Sequence, residues 1–355
     1  MSPHDGGHVS GSRDSADRPL NIGIVGYGYW GPNLARNVAH NARTELVAIA
    51  DRSPQRLAAA GRSHPAAALT TDVRDLLDNP QIDALFIATP PETHCELVLD
   101  AFTCGKHVLV EKPLATNVAD AERMVAAALA ADRVLLVDHT YLFTGAVKAM
   151  KRYFDADEIG DVYYYDSTRI NLGLFQGDTN VIWDLAPHDL SILLHLLDRP
   201  VQRVAAFGAR HIDVRHENIA YITLEFADGL LAHFHVNWLA PTKIRRTIIG
   251  ASRKMLVYDD IETVEKLKVY DCGARVITDV EDLYGRLVEY RTGDVLAPRL
   301  DNTEALTVEV DHFVDVVRGN AAPISDGNLG LRVVQILEAA QRSLANGGRP
   351  EEVAI

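Results

Sequence analysis

NIGIVGYGYWGPNLARNVAH, residues 21–40, decides how the first third of the chain folds. NIGIVG is an apolar run of strand length, and the segment from about residue 30 to 41 reads as a helix. Pro32 falls in that helix's first turn, where a missing N–H costs little. Between the two stands GYGYWG, with Gly26, Gly28 and Gly31 in G-x-G-x-x-G spacing. The first glycine permits a tight turn, the second lets a pyrophosphate approach the backbone, and the third lets helix and strand pack closely. The free N–H groups and dipole at the helix start favour the negative charge. Asp51 ends the next strand, ELVAIA, twenty residues after Gly31. A carboxylate there accepts bonds from both ribose hydroxyls and repels a 2′-phosphate, which favours NAD. Arg52 and Ser53 follow it and keep NADP possible.

The pattern continues outward. Helices near 54–62, 72–77, 92–104 and 117–131 alternate with the strands DALFIA (83–88), HVLV (107–110) and RVLLV (133–137). Strands this uniformly apolar, separated by helices, predict a parallel sheet covered on both faces. Ligands sit beyond the carboxyl ends of such strands. The residues predicted to face the cofactor there are Gly26, Tyr27, Gly28, Tyr29, Trp30, Gly31, Asp51, Arg52, Ser53, Thr89, Pro90, His94, Glu111 and Lys112. Lys112 precedes a proline and is therefore held extended. By position it either eases proton loss from a substrate hydroxyl or is a solvated loop lysine.

From about residue 142 the pattern changes. After a helix near 143–155, alternating stretches such as DVYYYDSTRI (161–170), RVAAFGA (203–209), YITLEF (221–226), LLAHFHVNWL (230–239), RRTIIG (245–250) and KMLVYD (254–259) follow one another across short turns. That predicts an open, mostly antiparallel sheet. The fold class expected is an α/β N-terminal Rossmann domain with a parallel sheet, plus an α+β C-terminal domain. The divisions expected are a disordered tail over 1–19, a nucleotide-binding domain over 20–141 and a substrate-binding and oligomerisation domain over 142–355. A last helix near 328–345 is expected to pack back on the first domain.

Within the second half, WDLAPHDLSILLHLL (183–197) is a greasy helix with one polar stripe: Asp184, His188, Ser191 and His195 at spacings of four, three and four. Asp184 as N-cap would place Pro187 in the first turn. Against a purely structural reading, a solvated face usually carries Lys, Glu or Arg. Asp184 and His188, at i and i+4, reach one ligand together, and histidine suits proton transfer near neutral pH. Tyr141, Arg169, Asn171 and Asn237 are weaker candidates for substrate contact, each with an ordinary reading as a turn or edge residue. His233 and His235 alternate on one strand without a third ligand at metal spacing, so no metal is predicted.

The 355 residues exceed one typical core. The net charge of −14 argues against nucleic acid and anionic membranes as partners. Three cysteines without a CxxC predict neither disulfide framework nor zinc site and suit a reducing, cytoplasmic setting. No stretch of about 18 apolar residues predicts a membrane span, and the polar start has no apolar centre of a secretory signal.

GYGYWG after a first strand, EKPLA at 111–115 and the later D-x-x-x-H resemble the glucose–fructose oxidoreductase, inositol dehydrogenase and MocA family from about residue 20 onward. The resemblance implies an NAD(P)-dependent oxidoreductase with catalytic Lys112, a cis Lys112–Pro113 peptide, and Asp184 and His188 facing the nicotinamide. It implies hydride transfer from a secondary alcohol of a sugar, with His188 taking the hydroxyl proton, Lys112 stabilising the oxygen and Asp184 positioning. WDLAPHDL, YRTGDVLAPRLDNTEAL (290–306) and SDGNLGLRVVQILEAAQRSL (325–344) are similar to the branch acting on nucleotide-linked or amino sugars, with 3-dehydrogenation of a UDP-N-acetylglucosamine derivative the nearest activity. A homo-oligomer, dimer or tetramer, through the second sheet is expected. The rivals are an NADPH-dependent keto-sugar reductase and a non-catalytic NAD-binding sensor or scaffold; a metal-dependent hydrolase lacks a ligand set.

Overall fold

A computed structural model describes residues 18–173, 179–212, 215–277 and 287–353. The tail expected over 1–19 therefore lies almost wholly outside the described residues. The first sheet holds β1 (Leu20–Val25), β2 (Thr44–Ala50), β3 (Ala68–Thr70), β4 (Ala84–Ile87), β5 (His107–Glu111) and β6 (Leu135–Asp138). Its order is β3-β2-β1-β4-β5-β6, with every pair parallel. Helices α1 (Gly31–His40), α2 (Pro54–Ser63), α3 (Arg74–Leu77), α4 (His94–Thr103) and α5 (Val118–Ala131) make the crossovers. Parallel strands carry slanted bonds and need covered faces, and the strands here are buried almost throughout. The strand β3 escapes the sequence pattern because it is a three-residue edge strand with exposed side chains.

The second half runs α6 (Gly145–Asp155), β7 (Val162–Leu172), α7 (Val181–Leu196), β8 (Val201–Ala209), β9 (Ile219–Phe226), β10 (Leu231–Asn237), β11 (Leu239–Ala251), β12 (Met255–Asp259), β13 (Leu267–Ile277), β14 (Leu287–Leu296), α8 (Ala305–Val317), α9 (Gly327–Ala345) and β15 (Glu351–Glu352). Its nine strands order as β14-β13-β12-β11-β7-β10-β9-β8-β15. All neighbours are antiparallel except β10 with β7, which α7 and the following hairpin bring together in parallel. One face packs on α6, α7 and α9 through Tyr165, Leu190, Ile222, Phe234, Trp238 and Leu337. The other face presents Tyr163, Phe207, Tyr221 and Leu231, all exposed.

Two helices return to the first sheet. Val334 of α9 packs into the layer of Val108, Val110 and Val137. On the opposite face, α8 inserts Leu306, Val310 and Phe313, the last edge-on to Phe86 at 4.9 Å. The helix α9 thus covers both sheets.

The helix α7 begins four residues earlier than an Asp184 N-cap would place it. Asn180, not Asp184, is its N-cap, accepting from the N–H groups of Ile182 and Trp183 at 3.1 and 3.2 Å. Pro187 consequently lies inside the helix, where it withholds the N–H that would bond the Trp183 carbonyl. Asn and Asp are comparable N-caps, and the start at Asn180 brings two further apolar residues, Val181 and Ile182, into the helix with both side chains fully buried.

Arg169 also departs from expectation. It points to the helix layer, not to ligand: Nε and Nη2 donate to Asp189 Oδ2 and Oδ1 at 2.8 and 2.9 Å, both groups being buried. This bidentate pair ties β7 to α7. Replacing Arg169 with Met strands the Asp189 carboxylate in the core and is expected to remove about 3–5 kcal/mol of stability, measured by urea unfolding. A side chain used only for ligand contact would leave the midpoint unchanged.

Candidate active site

The turn after β1 is shaped for a phosphate-bearing ligand by steric exclusion. Gly26 sits at φ 95°, and a Cβ on it would lie 2.5 Å from the Ala88 carbonyl oxygen. A Cβ on Gly31 would lie 2.1 Å from the Gly26 oxygen. At Gly28 a Cβ would meet only the Arg56 guanidinium, no nearer than 3.7 Å. The two outer glycines are thus forced by protein packing, while the middle one keeps its surface open for a ligand. Behind it, α1 starts with no side-chain cap and no acidic residue in its first turn. These features fit a dinucleotide pyrophosphate.

Asp51 anchors the turn. Its Oδ2 accepts from the Tyr27 N–H at 2.7 Å and its Oδ1 from the Ser53 N–H at 2.8 Å, with Arg56 Nη1 at 3.6 Å from Oδ2. The buried carboxylate keeps lone pairs for a ribose while holding both loops that would flank it. Ser53 caps α2, Arg52 is exposed and Tyr29 is 88% exposed beside the turn. Trp30 instead turns inward, its indole N–H donating to Asp138 Oδ2 at 2.6 Å. Glu111 also faces Asp138.

His94 does not face the cofactor. It is wholly buried, with Nδ1 and Nε2 at 3.1 and 2.9 Å from the Pro113 and Thr89 carbonyl oxygens. A neutral imidazole has one N–H, so the ring donates to one of these two carbonyls and sits wedged between the loop after β4 and the loop after β5. That placement shapes Thr89, Pro90 and the Glu111–Pro113 segment, and burial lowers the His94 pKa. The Lys112–Pro113 peptide is cis.

Lys112 and α7 meet at this edge. Lys112 Nζ donates to the Asp184 carbonyl at 3.0 Å and stands 3.7 Å from Asp184 Oδ1. The other carboxylate oxygen, Oδ2, accepts from Trp238 Nε1 at 2.9 Å. One turn on, His188 lies edge-on to Tyr141, ring centroids 5.0 Å apart. Among the described residues its Nδ1 has no hydrogen-bond partner. Burial, then the charges of Lys112 and Arg169, then His139 and Arg245, push its pKa well below 6.5. The imidazole is therefore neutral near pH 7 and surrounded by positive charge. Tyr141 is clasped from two sides: the Arg169 guanidinium stacks 4.5 Å from its ring centroid, and Arg245 Nη1 donates to its hydroxyl at 2.5 Å. Arg245 is held in turn by Asp260 at 3.2 Å. The arrangement can accept a proton at the imidazole and stabilise negative charge on an oxygen nearby.

The remaining candidates are peripheral. Asn171, half-buried near the end of β7, and Asn237, whose Oδ1 accepts from the Leu239 N–H at 2.6 Å, shape strand ends. His233 and His235 stack with Tyr221, centroids 6.0 and 4.4 Å away, on the uncovered sheet face. Among the described residues no group of three or more His, Cys, Asp or Glu has the arrangement to hold a metal, and no helix is long and apolar enough to cross a membrane.

Comparison with known proteins matches this picture. Residues 20–139 match the GFO/IDH/MocA oxidoreductase family's NAD-binding Rossmann fold, and residues 147–256 match that family's C-terminal domain. A solved structure from Magnetospirillum magnetotacticum, named as an oxidoreductase, is 32% identical with a TM-score of 0.76, over 90% of this chain and 99% of that one. The myo-inositol 2-dehydrogenase of Thermotoga maritima is 24% identical over 92% of this chain and 96% of its own length. The WlbA dehydrogenase of Bordetella pertussis, solved with NADH and UDP-GlcNAcA, shares the fold: TM-score 0.77 at 23% identity, over 96% of this chain and 99% of that one.

Asp51 holds the turn and is expected to accept from the ribose, so Asp51→Ala is expected to weaken NADH binding by about tenfold or more and to narrow the preference over NADPH. Titration of NADH and NADPH fluorescence checks both; an unchanged NADH affinity would contradict the assignment.

Proposed function

The chain belongs to the Gfo/Idh/MocA oxidoreductase family, an NAD-binding enzyme family, and we propose that it oxidises a secondary alcohol on a sugar or nucleotide-linked amino sugar, with His188 as proton acceptor and Lys112 beside the reacting oxygen. The observation that carries this reading is the meeting of Lys112 with the first turns of α7: its Nζ bonds Asp184, one turn before His188. Bound nicotinamide supplies the hydride acceptor. The chain's own residues supply alignment and charge.

His188 holds an unpartnered nitrogen and an uncharged ring, the state that accepts a hydroxyl proton. Lys112 brings a positive charge to the same place and favours the alkoxide-like oxygen that forms as the proton leaves. Asp184 fixes Lys112 from one side while Trp238 fixes Asp184 from the other. Tyr141, clamped by Arg169 and Arg245, walls the imidazole so that its orientation is set before substrate arrives. The substrate class rests on the relatives, one an inositol dehydrogenase and one solved with a nucleotide sugar. The exposed Tyr163, Phe207, Tyr221 and Leu231 of the uncovered sheet face support assembly of two or four copies through it.

His188→Ala is expected to cut turnover by roughly 10²–10⁴, with NADH affinity nearly unchanged; the assay is NADH formation against a panel of cyclitols, sugars and nucleotide sugars. Undiminished turnover in this variant and in Lys112→Met would remove the proposal. The pH profile gives a second check. A lowered pKa keeps the base form to lower pH, so the acid limb of kcat/KM is expected well below 6.5. A limb at or above 6.5 would assign the titrating group elsewhere.

A further inference from the structure

Three carboxyl groups meet where the two halves of the chain join. Glu111 and Asp138 end neighbouring strands and are register partners. Glu309 comes from α8, whose start is tied to α1 by Glu304 on Arg36 and by Thr307 Oγ1 on Asn37 Oδ1 at 2.7 Å. Glu309 is fully buried, and among the described residues no N–H or O–H reaches either of its oxygens. Its polar neighbours are carboxyls: it pairs with Asp138, as Glu111 does, and Glu111 is near enough to act on it as well.

Two acceptor-only groups in contact need a proton between them. Asp138 is already the acceptor for two donors, Trp30 Nε1 at 2.6 Å on Oδ2 and Thr140 Oγ1 at 2.5 Å on Oδ1. The proton in the contact therefore belongs to Glu309, and likewise to Glu111 in the second contact. Burial pushes the pKa of both glutamates well above the ordinary value, in the same sense. Asp138 thus sits at the centre of four donors, and one of them, Trp30, is the last residue of the turn before α1 and its N-cap. The position of α8 is in this way transmitted to the cradle for the pyrophosphate.

We propose that Glu309 is a positioning residue of the cofactor site: its protonated carboxyl donates to Asp138, which orients the acceptor that holds Trp30 and with it the glycine turn. A buried carboxyl serving only as packing would not be coupled to the indole N–H. A buried carboxylic acid donor costs little when every partner is satisfied and much when one is withdrawn.

The test is NADH binding, read by its fluorescence, which does not depend on which alcohol is oxidised or on the roles of His188 and Lys112. Glu309→Leu removes the donor at similar volume, and Trp30→Phe removes the indole N–H. Each is expected to raise the NADH Kd about fivefold, and the double variant no more than either alone, because both break one linkage. Glu309→Gln keeps a neutral donor and is expected to stay within about twofold of wild type. The proposal is overturned if Glu309→Leu binds as wild type does, if the two effects multiply, or if Glu309→Gln is as weak as Glu309→Leu. Should Glu309→Leu not fold, the infrared carbonyl band of protonated carboxyls decides: a band present in wild type at neutral pH that weakens in Glu309→Gln, the Glu111 component remaining, supports the proposal, and no difference between the two overturns it.

Discussion

The site depends on one long-range contact, the ammonium of Lys112 on the first turns of α7, 72 residues further along the chain. The end of β5 alone places Lys112 in the crevice where parallel-sheet proteins bind ligands. It does not place it near His188. That requires α7 to be pressed against the crevice, and the pressure comes from the second sheet: Arg169 of β7 grips Asp189, and Trp238, just past β10, holds Asp184. One of these bonds comes from a strand and the other from the bend between β10 and β11, so the second sheet acts as a template that aims α7 at the nucleotide-binding half.

The same packing sets the electrostatics. A histidine in water titrates near neutrality and spends much of its time charged. At position 188 it is desolvated and ringed by Lys112, Arg169 and Arg245, which makes the charged form costly. The consequence is an imidazole that stays uncharged near neutral pH, in the state the proposed role needs, beside cations that would favour an oxyanion. The cations avoid mutual disruption because Arg169 and Arg245 are each neutralised by an aspartate, Asp189 and Asp260.

Much of this was legible in the chain. G-x-G-x-x-G between a strand and a helix, Asp51 at the next strand's end and Lys112 before a proline are local patterns whose meaning follows from backbone sterics. The i, i+4 pairing of Asp184 and His188 follows from helix periodicity. What the sequence hides is partnership. Arg169 at the end of a polar-looking strand reads as exposed because its partner Asp189 lies on a separate element. His94 reads as a ligand contact because its acceptors are backbone carbonyls, which leave no mark in sequence. Trp238, Arg245, Asp138 and Glu309 enter the site only through tertiary packing; the one available signal was a lone glutamate on the apolar face of α8, between Leu306, Val310 and Phe313.

The most direct measurement is a crystal structure with NAD and a bound polyol or nucleotide sugar. The account predicts the nicotinamide ring over the space between Lys112 and His188, with a substrate carbon about 3–3.5 Å from its C4 and that carbon's hydroxyl within hydrogen-bond reach of both the amine and the imidazole. A nicotinamide lying elsewhere, or a substrate hydroxyl touching neither group, would contradict it.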